Sequence, residues 1–360
     1  MMNSLGHIFK VTSYGESHGA QVGCLIEGCP AGLSLNLDKI QSQVNRRKTN
    51  QGDYASTRQE DDIVKIVSGV FEGKTTGSPI AIFIENKDMR SSDYDELKHV
   101  FRPGHADLTY HQKYQWRDHR GGGRSSIRIT APLVAAGEIA LQLLQYSMPL
   151  QVIGYVSQIG DIQLSKEINY HQILQESPNT MLHCPDELIE QQMLQLIEEV
   201  KAAGDTLGGS VACVVKGLNA GIGEPIFGKL QAQLAHAMMS INTAKGFEYG
   251  VGMDSASMRG SEHNDSIRMK DGKMITAENK AGGVLGGISN GEDVYFKVFF
   301  KPISSIQQVQ TTSNDAGEVV ALQIKGRHDV CAVPRAVPIV EAYTNIVLAD
   351  LFLHAKLSNI

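Results

Sequence analysis

The chain has 360 residues, of which 42% are hydrophobic and 20% are charged. This composition is typical of a soluble globular protein and excludes the collagen, coiled-coil and low-complexity classes. Lys and Arg number 33 against 39 Asp and Glu, which gives a formal net charge of −6. Overall charge therefore favours neither nucleic acid nor an anionic membrane, and any anion site must be a local cluster of cations.

In chain order, the hydrophobic pattern predicts interleaved strands and helices. Short β-branched stretches bounded by Gly, Asn or Pro predict strands, and apolar residues at helical spacing predict helices. The predicted segments are a strand at 23–27, a helix over 37–47, a strand at 79–84, helices over 131–146 and 186–203, a strand at 211–215, a helix over 229–241, a strand at 293–300 and a helix over 338–357. Mixed elements without strict alternation predict an α+β fold. No linker divides the chain, so we expect one domain over residues 1–360.

The five cysteines are an odd number without a C-x-x-C pair, which argues against a disulfide framework and a structural zinc site. We expect reduced thiols, a cytoplasmic location and no metal. The N-terminus has no long apolar stretch behind a basic start, and no later segment approaches the roughly 18 apolar residues of a membrane span. We therefore expect no membrane partner.

Near the start of the chain, residues 15–19 (GESHG) place an acid, a hydroxyl and an imidazole between two glycines. Histidine suits proton transfer at neutral pH. The alternative is a turn in which Ser17 and Glu16 satisfy backbone groups. Further on, residues 46–48 (RRK) end a predicted helix. They either complement the helix dipole in solvent or contribute to an anion site.

The densest motif combines residues 102–107 (RPGHAD) with residues 116–128 (WRDHRGGGRSSIR). Glycines that free backbone N–H groups, hydroxyls and a following helix N-terminus make a sensible phosphate cradle. The spacing is neither a Walker loop nor a dinucleotide fingerprint. Arg/Gly segments that bind RNA are repeated and disordered, whereas this one is single and lies between predicted elements.

Two later motifs are glycine-rich residues 282–292 and residues 326–329 (GRHD). Each is compatible with an ordinary turn or surface loop. Taken together and in chain order, residues 15–19, 102–107, 120–126, 286–291 and 326–329 resemble the chorismate synthase family over about residues 6–350. The resemblance implies an α+β fold, a βαβ sandwich of antiparallel sheets enclosed by helices, and a homotetramer.

The resemblance also implies a lyase of the shikimate pathway, which serves aromatic amino acid biosynthesis. 5-Enolpyruvylshikimate 3-phosphate would lose phosphate and a ring proton in an anti 1,4-elimination that gives chorismate. Reduced FMN would be required without net redox change, donating an electron transiently and receiving the ring hydrogen near N5. Asp53 stands where some members place a basic residue near nicotinamide nucleotide. This argues against an intrinsic NADPH (NADP)-dependent reductase, so we expect a separate flavin reductase as a partner. Tyr343 occupies a position in the last predicted helix where the resemblance leads us to expect Met. We interpret this difference as a change in packing only.

The resemblance implies roles for individual residues. His18 would protonate the departing phosphate, His105 would supply a proton to the reduced flavin, and Asp329 would assist proton removal at flavin N5. Ser17 and Ser126 would tune the flavin and the two histidines. The implied FMN-binding residues are Arg124, Ser125, Ser126, Asn242, Thr243, Gly286, Lys301, Pro302, Ile303, Ser304, Ser305 and Arg327. The implied substrate-binding residues are Arg46, Arg47, Arg58, Arg128 and Arg335.

Two other functions have distinct signatures. A flavin-dependent oxidoreductase would use the same flavin but consume reducing equivalents stoichiometrically. A non-catalytic phosphate- or RNA-binding module gives no reason for His18, His105 and Asp329 to accompany glycine-rich loops.

Overall fold

The computed structural model describes residues 2–48, 61–87, 97–164, 170–270, 272–324 and 329–358. The α-helices in these ranges are α1 (Leu37–Arg46), α2 (Asp107–Tyr114), α3 (Ala131–Gln145), α4 (Tyr170–Glu176), α5 (Glu187–Ala202), α6 (Leu230–Met239), α7 (Gly260–His263) and α8 (Val333–Ala355). The strands in the same ranges are β1 (Ser4–Leu5), β2 (Lys10–Gly15), β3 (Gln21–Glu27), β4 (Lys65–Ser68), β5 (Val70–Phe71), β6 (Lys74–Thr75), β7 (Ile80–Glu85), β8 (Gln151–Ile159), β9 (Ile162–Gln163), β10 (Gly209–Lys216), β11 (Ala244–Tyr249), β12 (Ile267–Lys270), β13 (Lys273–Thr276), β14 (Val284–Leu285), β15 (Ile288–Ser289), β16 (Val294–Phe300), β17 (Gln310–Ser313) and β18 (Val319–Leu322).

Two antiparallel sheets carry most of the strands. The first has the order β1-β2-β3-β7-β4, and the second has the order β11-β16-β10-β8-β9. In β7, Ile80, Ile82 and Ile84 are fully buried on one face while the residues between them are half-buried, as the two-residue period of a strand requires. In the second sheet, Cys213 pairs with Phe296 of β16 and both are buried. Each sheet therefore presents one apolar face to the interior.

Helices α3 and α8 lie between the two sheets. α3 contacts β2, β3 and β7, α8 contacts β8 and β10, and the two helices pack on each other. Gly137 allows this approach, because a Cβ at that position would lie 2.4 Å from Ala342 Cα. The α+β class is confirmed, but the layer order is the reverse of the expected one, since the sheets enclose the helices. Helices that are apolar on every side must be covered on both faces.

Two helical segments, Ile127–Gln145 and Val333–Ala355, are long and apolar enough by length and composition to cross a membrane, and their apolar windows are 83% and 94% buried. The expectation that no segment approaches a membrane span in length and composition is therefore wrong. Burial between the sheets explains their composition, because core helices of a folded protein pass the same test.

The predicted strands and helices are confirmed to within a few residues, apart from the start of the last helix. α8 begins at Val333 rather than near 338, with Pro334 in its first turn and Pro338 inside the helix. Proline is well tolerated in a first turn because its missing N–H has no intrahelical partner there. The five cysteines are free, as expected, and the structure shows that all five are buried.

Candidate active site

His18 lies on the loop between β2 and β3 and is 8% exposed. Its Nδ1 shares a hydrogen bond of 3.0 Å with Ser17 Oγ. Gly121 lies against the ring, because a Cβ on Gly121 would come within 2.2 Å of His18 Nδ1. Gly121 also has a φ of +70°, a left-handed conformation that favours glycine. The imidazole is thus positioned by a hydroxyl and by a stretch of backbone that has no room for a side chain.

His105 lies in the turn before α2, with Nδ1 2.9 Å from Asp107 Oδ1. Asp107 is buried and accepts hydrogen bonds from Arg102 Nε at 2.7 Å and Nη2 at 2.8 Å. Arg117 Nη1 lies 3.2 Å from Asp107 Oδ1. Burial alone would raise the pKa of Asp107, but the hydrogen bonds and positive charges of Arg102 and His105 hold it well below its usual range. The carboxylate is therefore charged.

Three of the predicted substrate arginines converge on two carboxylates. Arg47 Nη2 lies 3.1 Å from one oxygen of Asp62, and Arg128 Nη1 pairs with the other. Arg335 pairs with Asp329 and donates through Nε to the Arg47 carbonyl at 3.3 Å. Each of these five residues is at most 9% exposed. We call these five residues the arginine cluster.

Within the described ranges, the three arginines of the arginine cluster pair with its two carboxylates. Burial lowers the pKa of Arg47 to about 10; Asp62 opposes this shift, and the charges of Arg335 and Arg128 add to it. Burial would raise the pKa of Asp62, but Arg47 and Arg128 lower it further than burial raises it. In the described part of the chain, Arg47 Nε is buried without a hydrogen-bond partner. A buried guanidinium donor that lacks a partner in these ranges suits an anion.

Asn86 connects the arginine cluster to the loop that carries His18. Its Nδ2 donates to the carbonyls of Glu16 at 3.0 Å and Gly19 at 2.8 Å. Its Oδ1 accepts from Arg128 Nε at 2.9 Å. Neither Asn86 nor Asp62 is predicted from the sequence, because a single Asn after a strand and a single Asp in a polar stretch belong to no chemical motif.

The loop after β16 reaches the turn that carries His105. Ser304 Oγ donates to the Gly104 carbonyl at 2.6 Å, and Lys301 Nζ donates to Ser304 Oγ at 2.6 Å. On the other side of the loop, Thr206 donates to the Ile303 carbonyl at 2.7 Å. The predicted flavin-binding loop, which consists of Lys301, Pro302, Ile303, Ser304 and Ser305, therefore adjoins His105.

Other residues predicted to bind the flavin contact one another next to the same loop. Asn242 Nδ2 donates to the Ser125 carbonyl at 2.7 Å, and Lys301 N donates to the Thr243 carbonyl at 3.0 Å. Thr243 has a φ of +70°, which turns the chain sharply between these contacts. The structure thus brings together Ser125, Asn242, Thr243 and Lys301.

Lys301 gives this region the chemistry of a phosphate site. Burial and the charge of Lys245 lower its pKa. Among the described residues its Nζ hydrogen bonds only to neutral oxygens, the Pro302 carbonyl and Ser304 Oγ. Because no carboxylate neutralises this amine in the described ranges, the donor set fits the phosphate of a mononucleotide.

A family model described as chorismate synthase matches residues 9–353. The chain belongs to the chorismate synthase family. It is 49% identical over 355 residues to the chorismate synthase of Azobacteroides pseudotrichonymphae genomovar. CFP2, covering 98% of this chain and 99% of that protein. It is 50% identical over 357 residues to that of Parabacteroides distasonis, covering 99% of each. A crystal structure of chorismate synthase has a TM-score of 0.77 at 30% identity, covering 97% of this chain and 92% of that one.

The reaction and pathway are those of chorismate synthase, a lyase that removes phosphate from its substrate in the shikimate pathway. Enzymes of this family depend on reduced FMN. Three of the residues that the resemblance implies, Arg46, Arg124 and Gly286, make their described contacts outside the arginine cluster and the His105 turn.

Arg46 lies apart from the arginine cluster. Its Nη1 and Nη2 contact Glu341 of α8 at 2.6 and 3.2 Å, and Glu341 also accepts from the Gly154 N–H at 2.9 Å. Successive helical residues point about 100° apart. The adjacent Arg47 therefore reaches Asp62 while Arg46 turns toward α8.

Arg124 contacts strand β2, which leads into the His18 loop. Its Nη1 donates to Ser13 Oγ at 3.0 Å and to the Gly15 carbonyl at 3.1 Å. The guanidinium lines a cavity of about 280 Å³ between the N-terminal strands and α8, whose wall includes Tyr343. Arg124 thereby stabilises the turn that carries Ser125 through contacts with β2.

Gly286 lies in the turn between β14 and β15. That hairpin is anchored by hydrogen bonds from Ser289 to Ile222 and from Leu230 to Gly287, rather than by contacts with the His105 turn. Ser126 Oγ accepts from the Arg128 N–H at 3.2 Å. Arg58, Arg327 and Asp53 lie outside the described residues.

Proposed function

We propose that the chain converts 5-enolpyruvylshikimate 3-phosphate to chorismate in the site formed by His18, His105 and the arginine cluster. The observation that carries this placement is the buried cluster itself, in which Arg47 Nε has no partner among the described residues. The substrate carries one phosphate and two carboxylates. A buried guanidinium donor with no partner in the described ranges suits a ligand of high negative charge.

His18 is the proposed acid for the departing phosphate. During the elimination a C–O bond to phosphate and a ring C–H bond break, and the C–H electron pair becomes part of the new double-bond system. Phosphate leaves more readily when its charge is neutralised in the transition state. His18 can donate a proton from a site that Asn86 ties to Arg128, while Ser17 orients the ring.

Reduced FMN, when bound, supplies transient electron density that helps to expel the phosphate. The contacts among Ser125, Asn242, Thr243 and the Lys301 loop support its binding beside His105. The remaining proposed ligands are Arg124, Ser126, Gly286, Pro302, Ile303, Ser304, Ser305 and Arg327.

Two further residues complete the proposed proton chemistry. His105 would hold a proton beside the flavin-binding loop, since its turn contacts Ser304. Asp329 would accept a proton during removal of the ring hydrogen. Its ion pair with Arg335 keeps this carboxylate within the arginine cluster. Ser126 would support the site by capping the turn that leads to Arg128.

We further propose that one domain carries this site, that the chain works in the cytoplasm and that it receives reduced flavin from a separate reductase. Five free thiols support the compartment, because disulfides are rare there. A homotetramer would cover exposed apolar side chains such as Ile267, Met269 and Met274 on the β12–β13 hairpin, which are 62 to 67% exposed.

An anaerobic assay tests the function. The protein is mixed with 5-enolpyruvylshikimate 3-phosphate and a trace of chemically reduced FMN, and phosphate and chorismate are measured together. Equal yields of both products, far above the amount of flavin, are expected. A parallel reaction with NADPH and oxidised FMN is expected to stay silent. Consumption of reducing equivalents in proportion to product would instead indicate an oxidoreductase.

A further inference from the structure

Arg102 and Asp107 form a buried ion pair between the two histidines. They are 5% and 4% exposed. The Arg102 guanidinium donates to both carboxylate oxygens, and its backbone N–H donates to Asp107 Oδ2 at 3.1 Å. A two-point contact of this kind fixes the orientation of both planar groups.

Each member of the pair contacts the environment of one histidine. Asp107 Oδ1 lies 2.9 Å from His105 Nδ1. Arg102 Nη2 donates to the Gly121 carbonyl at 3.0 Å, and Gly121 is the residue whose backbone lies against His18. One rigid unit therefore connects the two rings, although residues 18 and 105 lie far apart in the sequence.

We propose that the Arg102–Asp107 pair is the positioning unit of both acid–base histidines. Asp107 selects the His105 tautomer directly, and Arg102 holds the backbone that packs on His18. This inference rests on the proposed function for the roles of the two histidines. Neither Arg102 nor Asp107 is assigned a contact with the substrate.

The chemistry of a carboxylate explains the selection. An ionised carboxylate can only accept hydrogen bonds, so His105 must donate to it from Nδ1. In the neutral ring Nε2 is then the unprotonated nitrogen, which is available to exchange a proton with the site. A buried partner on one ring nitrogen sets the tautomer and the orientation of the other.

Asparagine cannot take the place of Asp107 without loss. Oδ1 faces donors on Arg102, Arg117 and His105, and Oδ2 faces two donors on Arg102. An amide NH₂ at either place opposes at least one guanidinium donor. If the NH₂ faces His105, the ring must accept at Nδ1 and carry its proton on Nε2.

The first test reads the tautomer and does not depend on activity. Solid-state 15N spectra of histidine-labelled protein are recorded at about pH 9, where an ordinary imidazole is neutral, and the His105 signals are identified by His105→Gln. The Nδ1–H tautomer is expected in the parent protein. An Nε2–H tautomer in the parent would overturn the inference while leaving the proposed function intact.

The second test is Asp107→Asn in the anaerobic assay. The expected result is a fall in kcat of at least about 100-fold, with KM for the substrate within about threefold of the parent. Asp315→Asn is the matched control, because His99 Nδ1 lies 2.7 Å from Asp315 on the surface. The control is expected to keep the parent kcat. Parent-like kcat in Asp107→Asn would overturn the inference.

A double variant distinguishes an effect of Asp107 that is transmitted through His105 from an independent effect on kcat. If Asp107 acts mainly through His105, the loss of kcat in Asp107→Asn/His105→Gln is expected to be much smaller than the product of the two single losses. Losses that multiply in full would show that Asp107 acts independently of His105 and would overturn its assignment to that ring.

Arg102→Lys tests the connection to His18. Lysine keeps a cation beside Asp107 but lacks the fork that also reaches Gly121. We expect the His105 tautomer to be retained and kcat to fall by about 10-fold. Parent-like kcat in Arg102→Lys would show that the Gly121 contact is dispensable and would overturn this half of the inference.

Discussion

Asn86 and Arg128 share a buried hydrogen bond of 2.9 Å from the guanidinium Nε to the amide oxygen. The same amide donates through Nδ2 to the carbonyls of Glu16 and Gly19, on either side of His18. Asn86 is 7% exposed, so bulk water cannot readily replace these contacts. The Asn86 side chain therefore fixes the distance between His18, the proposed acid, and Arg128, a proposed substrate-binding residue.

Asn86→Asp is expected to lower kcat by about 10- to 100-fold, because buried carbonyls that lose their donor cost roughly 1–3 kcal/mol. The carboxylate keeps its contact with Arg128 but cannot donate to the His18 loop. Steady-state assays under anaerobic conditions measure the effect. Asn314→Asp is the control, because Asn314 makes an exposed hydrogen bond to Glu318. This variant is expected to keep the parent kcat. Equal kcat values in the two variants would contradict this role for Asn86.

Gly121→Ala is expected to abolish most activity, with a loss of at least about 10-fold in kcat, because the new Cβ would lie 2.2 Å from His18 Nδ1. Gly73→Ala is the matched control. Gly73 has a φ of +74°, but among the described residues a Cβ added there would meet nothing within 4 Å beyond its chain neighbours. Both variants should lose about 1–2 kcal/mol of stability from the left-handed backbone. Thermal unfolding and kcat are measured together, and active Gly121→Ala protein would argue against a fixed His18 ring.

Arg46 and Arg47 are expected to behave differently when each is changed to Gln. Arg47→Gln should raise KM for the substrate by at least about 10-fold, since a charge-assisted hydrogen bond contributes about 1.5–3 kcal/mol. Arg46→Gln should leave KM within about threefold and lower the free energy of unfolding by about 2 kcal/mol, because it leaves Glu341 without its cation. Substrate titrations and denaturant unfolding measure the two effects. Equal increases in KM would return Arg46 to the substrate site.

Glu138→Gln is expected to raise Tm at neutral pH. Burial is the main cause that raises the pKa of Glu138, with a smaller contribution from the Glu341 charge. An unfolded Glu titrates near about 4.3, so the folded chain holds this proton to higher pH. The stability linked to Glu138 is present below about pH 4.3 and is lost as the pH rises through the folded pKa.

Thermal unfolding from about pH 4 to 8 tests this sign. The Tm advantage of Glu138→Gln should disappear at the acid end. Glu198→Gln is the control, because Glu198 is an exposed residue in an ion pair with Lys201. An advantage of Glu138→Gln that grows toward acid pH would contradict the stated direction.

Local sequence patterns predict most elements because helices and strands impose their own periods. The alternation of Ile80, Ile82 and Ile84 marks β7, and Asp186 before a periodic apolar stripe marks the start of α5, where its side chain accepts from the Ile189 N–H. The largely apolar sequences of α3 and α8 indicate that both helices are buried. Neither sequence shows which other elements cover the helix. The inverted layer order follows from contacts between distant segments.

The contacts of the candidate site also fall into those that the local sequence predicts and those that only the tertiary fold creates. Ser17 and His18 are neighbours in the sequence, so their hydrogen bond is foreseeable. Arg47 and Arg128 meet only because Asp62 accepts from both, and no local pattern links these three positions. Arg46 and Arg47 are adjacent in the sequence, and the packing of α1 decides which of them faces α8.

A crystal structure with 5-enolpyruvylshikimate 3-phosphate and oxidised FMN would locate the substrate phosphate. We expect this phosphate to lie about 3 Å, a hydrogen-bond distance, from His18 and from at least one of Arg47 and Arg128. A phosphate bound instead beside Arg46 and Glu341, or in the cavity lined by Arg124, would contradict the proposed site.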